Sequence, residues 1–320
     1  MKKFEELTFK LWKKFAVSGK FKTDKEGNVY INNLSDTDGE GALALLKMAG
    51  VDTSHVKYVA PGKHLEDYIN IDTGNQDGVV ASLDNKTAFF DHHGKRSVND
   101  TSSTELVYKS LTGLGLLEKT PALDKAVKLI TQEDNRSFPN EEKYFKEHWH
   151  HTVLGLIQYI QLPKLVKFFE EGGSPTDILN ESQLQSLGLL EKSREVKKRV
   201  KASLEAMEQI RQKGFVLHSK KYGDIAVDIG KRANIGFVAA KALGMDGYII
   251  WSPKTQSFFV STNKPMDIKL AQGQQIRETM WIKPAKNIDG QDLEISLQDI
   301  VNELNGSVGD GLRKYLEKNK

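Results

Sequence analysis

Read from its sequence alone, the chain is an α/β protein with three parts: an N-terminal domain on a parallel sheet, a helical connector, and a smaller mixed α/β C-terminal domain. Three observations lead there. Short apolar runs alternate with helical patterns up to about Asp134, which marks a parallel sheet covered by helices on both faces. Residues 152–212 read as almost wholly helical. Strand-like runs return from Phe215 onward. The boundaries are therefore placed at 1–155, 156–213 and 214–320.

Along the chain, Phe4, Leu7, Phe9, Leu11, Trp12 and Phe15 recur near helical spacing, giving a short amphipathic helix over 4–17. Asn28 to Leu34 reads as a strand that runs into Ser35-Asp36-Thr37-Asp38-Gly39. A helix over Glu40 to Ala49 follows, with Gly50 closing it. Strands are expected at His55–Val59, Tyr68–Asp72 and Thr87–Asp91, then helices at Ser103–Leu116 and Pro121–Gln132. Proline opening the second helix suits a first helical position. Lys192 to Lys213 is charged and amphipathic, with no glycine before Gly214. Beyond it, strands are expected at Phe215–His218, Ile225–Asp228, Tyr248–Trp251 and Ser257–Ser261, with a helix at Ile235–Ala242. Pro253-Lys254-Thr255-Gln256 makes a hairpin turn. The segment Leu297–Leu304 leads into a glycine-rich turn, Gly306 to Gly311, and a basic tail.

Bulk properties exclude several classes. A chain of 320 residues suits two domains. No apolar run approaches the roughly 18 residues of a membrane span, so no membrane partner is expected. No apolar stretch follows the charged N-terminus, so a secretory signal is not expected. The absence of cysteine excludes disulfides, thiolate metal sites and cysteine nucleophiles, and suits a cytoplasmic location. The net charge of +3 comes from interleaved charges of both signs, the pattern of an ordinary solvated surface. The basic run Lys192–Lys201 has no interleaved aromatic platform for single-stranded nucleic acid.

Chemistry concentrates at the ends of the N-terminal strands, where open parallel sheets bind ligands. Asp36-Thr37-Asp38-Gly39 places two carboxylates on one strand-to-helix turn. Asp72-Thr73-Gly74 adds a third, and Asp91-His92-His93-Gly94 adds two imidazoles backed by a carboxylate. Asp134 ends a helix in Thr131-Gln132-Glu133-Asp134-Asn135. Oxygen ligands suit hard divalent cations, and imidazole admits manganese or another first-row metal. Each signal alone is ordinary: such aspartates usually cap helices, and a lone histidine is usually structural. The order of all four at strand ends of one domain is what sets them apart.

Taken together, Asn32-x-x-x-Asp36-x-Asp38, Asp72, Asp91-His92-His93 and Asp134 resemble motifs I to IV of the DHH phosphoesterase superfamily, over roughly residues 28–136. That superfamily includes RecJ-like exonucleases, oligoribonucleases and nucleotide phosphatases, cyclic-dinucleotide phosphodiesterases, family II inorganic pyrophosphatases and exopolyphosphatases. Thr101 to Tyr108 looks like its Ser/Thr-rich helix start, and the C-terminal third resembles its DHHA1 domain in outline. The resemblance implies that Asp36 and Asp72 bind a first metal, and that Asp38, Asp72, His92 and Asp134 bind a second, with Asp72 bridging. Asp91 and His93 would be catalytic, Asp91 by orienting an imidazole and His93 by contacting a substrate phosphate oxygen. Two Mn2+ ions are implied, with Mg2+ or another divalent metal admissible. The implied reaction is attack on phosphorus by metal-activated water, on a phosphoester or phosphodiester of a nucleotide or short oligonucleotide. Helix N-termini at Gly39 and Ser103 would add favourable partial charge for the phosphate. The alternatives are a pyrophosphatase or exopolyphosphatase-like hydrolase and a non-catalytic nucleotide- or partner-binding descendant; a homodimer stays open.

The chain departs from the family pattern at two places. Many members have histidine where Asn32 stands, so Asn32 is either a neutral oxygen donor to a weaker first metal site or a loop hydrogen bonder. The Gly-Gly-x-x-His motif of DHHA1 domains has no histidine counterpart in Asn305 to Gly311. Substrate binding there would fall to Gly306 and Gly309, if with Gly311 they form an anion-binding backbone turn rather than an ordinary loop. Lys264, after Phe258 to Asn263, stands near the expected arginine. Lys231, Arg232, Lys269 and Arg277 read as surface charges. His148, His150 and His151 around Trp149 are either substitute ligands or a helix start with partly exposed histidines.

Overall fold

The strands of the N-terminal third pair as a sheet that is parallel except at one edge in a computed structural model of the chain. The structure describes residues 29–32, 36–51, 53, 56–59, 69–73, 78–82, 87–92, 101–135, 137–231, 233, 235–254, 257–266, 274–277, 280–283 and 296–319. The helix expected over 4–17, Arg232 and Lys269 lie outside them, and Arg277 is placed only as the end of a strand. Two compact units emerge, one of 1–139 with 152–189, the other of 140–151 with 190–320. The stretch 156–213, expected as a connector, is thereby shared: 156–189 falls in the first unit and 190–213 in the second.

In the first unit, β1 (Val29–Asn32), β2 (Val56–Val59), β3 (Ile69–Ile71), β4 (Gly78–Ser82) and β5 (Thr87–Asp91) form one sheet in the order β2-β1-β3-β5-β4. β1 runs parallel to β2 and β3, and β3 runs parallel to β5, with Ile31 opposite Ile71 and Ile71 opposite Phe90. β4 was not expected. It returns antiparallel along β5, Ser82 opposite Thr87, and as an edge strand it carries no apolar alternation to announce itself.

α1 (Thr37–Met48) begins three residues before the expected Glu40, because Asp36 caps it: the Asp36 carboxylate accepts from the amides of Asp38 at 3.0 Å and Gly39 at 3.4 Å. Gly50, at φ 73°, takes the left-handed position after the helix. α2 (Ser103–Gly113) is capped by the Ser102 hydroxyl, and α3 (Pro121–Asp134) by Thr120. α3 runs two residues past the expected Gln132, so Asp134 sits on its last turn. Leu45, Leu46, Ile69, Ile71, Phe90, Val107, Leu111 and Ala126 are buried between these elements. No helix among the described residues is long and apolar enough to cross a membrane.

The second unit holds a mixed sheet of β6 (Val216–Ser219), β7 (Gly223–Ile229), β8 (Gly247–Ser252), β9 (Ser257–Thr262), β10 (Gln274–Arg277), β11 (Met280–Lys283) and β12 (Gly306–Val308). Its order is β10-β11-β9-β8-β7-β6-β12. Among the described strands of this sheet only β7 and β8 pair in parallel, joined through the helix Gly236–Ala242. β8 and β9 make the expected hairpin, Ser252 opposite Ser257.

The glycine-rich turn is corrected. Gly306–Val308 is an edge strand, with Ser307 opposite His218, and Gly309 caps the helix Asp310–Lys318. The Gly309 amide donates to the Val216 carbonyl at 2.9 Å, so it is not open to an anion. Glycine is required by close backbone approach: a Cβ on Gly309 would lie 2.5 Å from the Gly214 carbonyl oxygen, and one on Gly306 2.8 Å from that of His218.

Candidate metal centre

Three strand ends and one helix end bring the site together. β5 delivers Asp91, fully buried, and then His92. β3 delivers Asp72, whose amide extends the parallel ladder by donating to the Phe90 carbonyl at 3.0 Å. Asp72 then turns into the left-handed region, at φ 51°. A residue with a Cβ costs roughly 1–2 kcal/mol there, and such strain collects at functional positions. β1 leads through the Asp36 cap to Asp38 on the first turn of α1, and α3 supplies Asp134.

His92 Nε2 lies 3.4 Å from Asp134 Oδ2, 3.6 Å from Asp38 Oδ2 and 3.8 Å from Asp72 Oδ1. Asp38, His92 and Asp134 each offer a ligand atom, all within 4.8 Å of one another. Asp38 is 1% exposed, His92 3% and Asp72 5%. Burying charge of one sign costs several kcal/mol per group unless it is compensated. Three carboxylates outnumber one imidazole here even if that ring is protonated. A divalent cation offsets this excess, and the oxygen-rich set with one imidazole matches what magnesium or manganese accepts. The hydroxyls of Thr37 and Thr73, which adjoin Asp38 and Asp72 in sequence, and of Ser103, whose amide meets Asp38, are buried with no hydrogen-bond partner among the described residues. The residues therefore fit a hydrated divalent ion.

Asp38 is held from a distant helix. Its Oδ2 accepts from the Ser103 amide and its Oδ1 from the Thr104 amide, each at 2.7 Å, while its backbone carbonyl accepts from the Thr104 hydroxyl at 2.6 Å. The first amides of α2 thus satisfy their missing helical partners with a carboxylate. The amides of Ser103 and Gly39, at the helix starts expected to add partial charge for a phosphate, donate to Asp38 and Asp36. Ser103 and Thr104 as supports of Asp38 were missed from sequence.

The remaining expected residues fall as follows. Asp36 is outside the cluster of ligand atoms and serves α1 as its cap. Although the residue keeps an exposed surface, its carboxyl is raised above the ordinary value, first by lost hydration and then by the Asp38 charge. Asn32 ends β1, opposite Val59, and its side chain, like all of His93, lies outside the described residues. Lys264 is exposed and donates to the Lys221 carbonyl at 3.1 Å; it belongs to the second unit with Gly306 and Gly309. His150 is buried on a short 3-10 turn with Trp149, and burial, then His151 and Lys197, lower its pKa to about 4. His148, His150 and His151 form no ligand cluster among the described residues. A cavity of about 650 Å3 adjoins Asp134 and Asp36, lined also by Glu40, Lys47, Glu133, Gln158, Gln161, Ile160 and Leu162. Glu133 and the two glutamines gave no signal in sequence beyond polarity.

No family model and no curated protein sequence matches the chain. Among solved structures it is similar to RecJ from Thermus thermophilus in complex with Mg2+, at TM-score 0.39 and 12% identity, over 86% of this chain and 49% of that one. The chain thus spans about half the length of that RecJ. It is also similar to an exopolyphosphatase-related protein from Bacteroides fragilis, at TM-score 0.41 and 10% identity, over 97% and 96% of the two chains. With both TM-scores below 0.5 and both identities below 25%, what this chain does is read from its own side chains.

Proposed function

We propose that this chain is a divalent-metal-dependent phosphoesterase of the DHH type, hydrolysing a phosphoester or phosphodiester bond in a nucleotide or short oligonucleotide. The observation that carries this is the convergence of buried Asp38 and His92 with half-buried Asp134, and Asp72 beside them, at the carboxyl edge of a parallel sheet. The sequence order of these residues, which resembles motifs I to IV, supports the same reading.

In this reading Asp38, Asp72, His92 and Asp134 hold one divalent ion, and Asp36, Asp72 and Asn32 a second. Such ions supply charge neutralisation at the phosphoryl oxygens and acidify water. The chain does the positioning. The α2 amides hold both Asp38 carboxylate oxygens in place. The Asp72 turn carries its carboxylate between the β1 and β5 ends. His93 contacts a phosphoryl oxygen and Asp91 orients an imidazole. Manganese is the preferred ion, with magnesium admitted.

Pyrophosphate or polyphosphate hydrolysis is a second reading. It is favoured by the C-terminal segment Gly306–Gly311, whose strand and helix cap replace an open phosphate-binding turn. Product analysis on a 5′-phosphorylated dinucleotide, cyclic dinucleotides, short DNA, pyrophosphate and polyphosphate, with Mn2+ and then Mg2+, separates the two. Release of nucleoside monophosphates supports the first reading; release of inorganic phosphate from pyrophosphate or polyphosphate alone supports the second. No hydrolysis of any of them removes both.

A further inference from the structure

The cap and first turn of α2 touch at once the two helices that carry Asp38 and Asp134. On one side, the Thr104 hydroxyl donates to the Asp38 carbonyl at 2.6 Å, while the Thr104 and Ser103 amides each reach an Asp38 carboxylate oxygen at 2.7 Å. On the other, the Ser102 and Thr131 hydroxyls pair at 2.9 Å, and Thr131 lies one turn before Asp134 on α3. All five of Asp38, Ser102, Ser103, Thr104 and Thr131 are at least nine-tenths buried, so no water substitutes freely for these bonds. Glycine at position 41 keeps the helices this close: a Cβ there would meet Thr104 Oγ1 at 2.6 Å.

We infer that Thr104 is a positioning residue for the metal centre, its hydroxyl fixing the Asp38 backbone so that both carboxylate oxygens meet the α2 amides, and that the Ser102–Thr131 pair sets the distance from this turn to Asp134. The inference rests on the proposed function, since it assigns these hydroxyls to a cation site. A side chain that touches only the backbone of one ligand then controls affinity for the ion without touching it. A hydroxyl that only filled space would be replaced by a methyl group of equal size with no effect on the ion.

The test is Mn2+ titration of the full chain, read from the spin-resonance signal of free Mn2+, on variants whose folding is checked by circular dichroism. Thr104→Val, equal in shape, should weaken Mn2+ binding about tenfold, in the range found when supporting partners of metal ligands are removed. Thr104→Ser, which keeps the hydroxyl, should stay within about threefold of wild type on the same scale. Unchanged affinity in Thr104→Val, or equal losses in both variants, overturns the inference. If Thr104→Val does not fold, Thr131→Val decides: a loss of a few-fold supports the second link, and wild-type affinity removes it. A wild-type chain that binds no Mn2+ is a different failure, for it removes the proposed function and the inference with it.

Discussion

Gly41→Ala sets two effects of opposite sign against each other. Gly41 lies inside α1, away from its ends. On an open helix face, alanine would stabilise by about 1 kcal/mol over glycine. Here the added Cβ would sit 2.6 Å from Thr104 Oγ1 and 3.1 Å from Ile130 Cδ1. Reaching ordinary contact requires α2 or the Thr104 side chain to retreat by about 0.8 Å. Overpacking of this kind costs about 1–3 kcal/mol. Moving the hydroxyl off the Asp38 carbonyl removes about another 0.5–1.5 kcal/mol. Losses exceed the helix-propensity gain throughout these ranges, so the variant should be less stable by about 0.5–3.5 kcal/mol. Urea unfolding in EDTA, followed by far-ultraviolet circular dichroism, measures it. A variant stabilised by about 1 kcal/mol would refute the close α1–α2 approach.

Two further perturbations probe other parts of the molecule. Asp72→Gly removes a left-handed residue with a Cβ, at φ 51°, together with one of the crowded carboxylates. It should stabilise the metal-free protein by up to about 1 kcal/mol in urea unfolding while hydrolysis is lost; a destabilised variant that still turns over contradicts both roles. His150, with its pKa lowered to about 4, stays neutral when folded but binds a proton when unfolded, so stability is intact above about pH 6.5 and falls as pH drops toward 4. Between pH 7 and 5 the loss should be roughly 1 kcal/mol after allowing for solvent screening, and His150→Leu should flatten the dependence in that window; an unchanged slope means His150 is not the group responsible.

Much of the site is legible in sequence because local rules apply to it. An apolar run followed by aspartate marks where a parallel strand ends, and Asp72 and His92 follow from that. α1 starts at Thr37 rather than the expected Glu40 because Asp36, a capping residue of the usual kind, sets its first turn. The edge strands β4 and β10 escaped because short edges pair on one side only and need no apolar alternation, and β11, the partner of β10, is itself only four residues long. Gly306 to Gly311 has the composition of a turn, yet the backbone of Gly214 and His218 decides its conformation, and that neighbour is some ninety residues away. For the same reason the Asp38 bonds to Ser103 and Thr104, across 65 and 66 residues, are invisible to any local pattern.

The claim that the clustered side chains bind a divalent ion is tested most directly by electron spin-echo spectroscopy of Mn2+ added to the full chain. Nitrogen coupling from a single imidazole should appear in the wild type and vanish in His92→Gln, with Mn2+ still bound more weakly by the aspartates. Nitrogen coupling that persists in His92→Gln, or Mn2+ that stays free in solution with the wild type, would contradict the assignment.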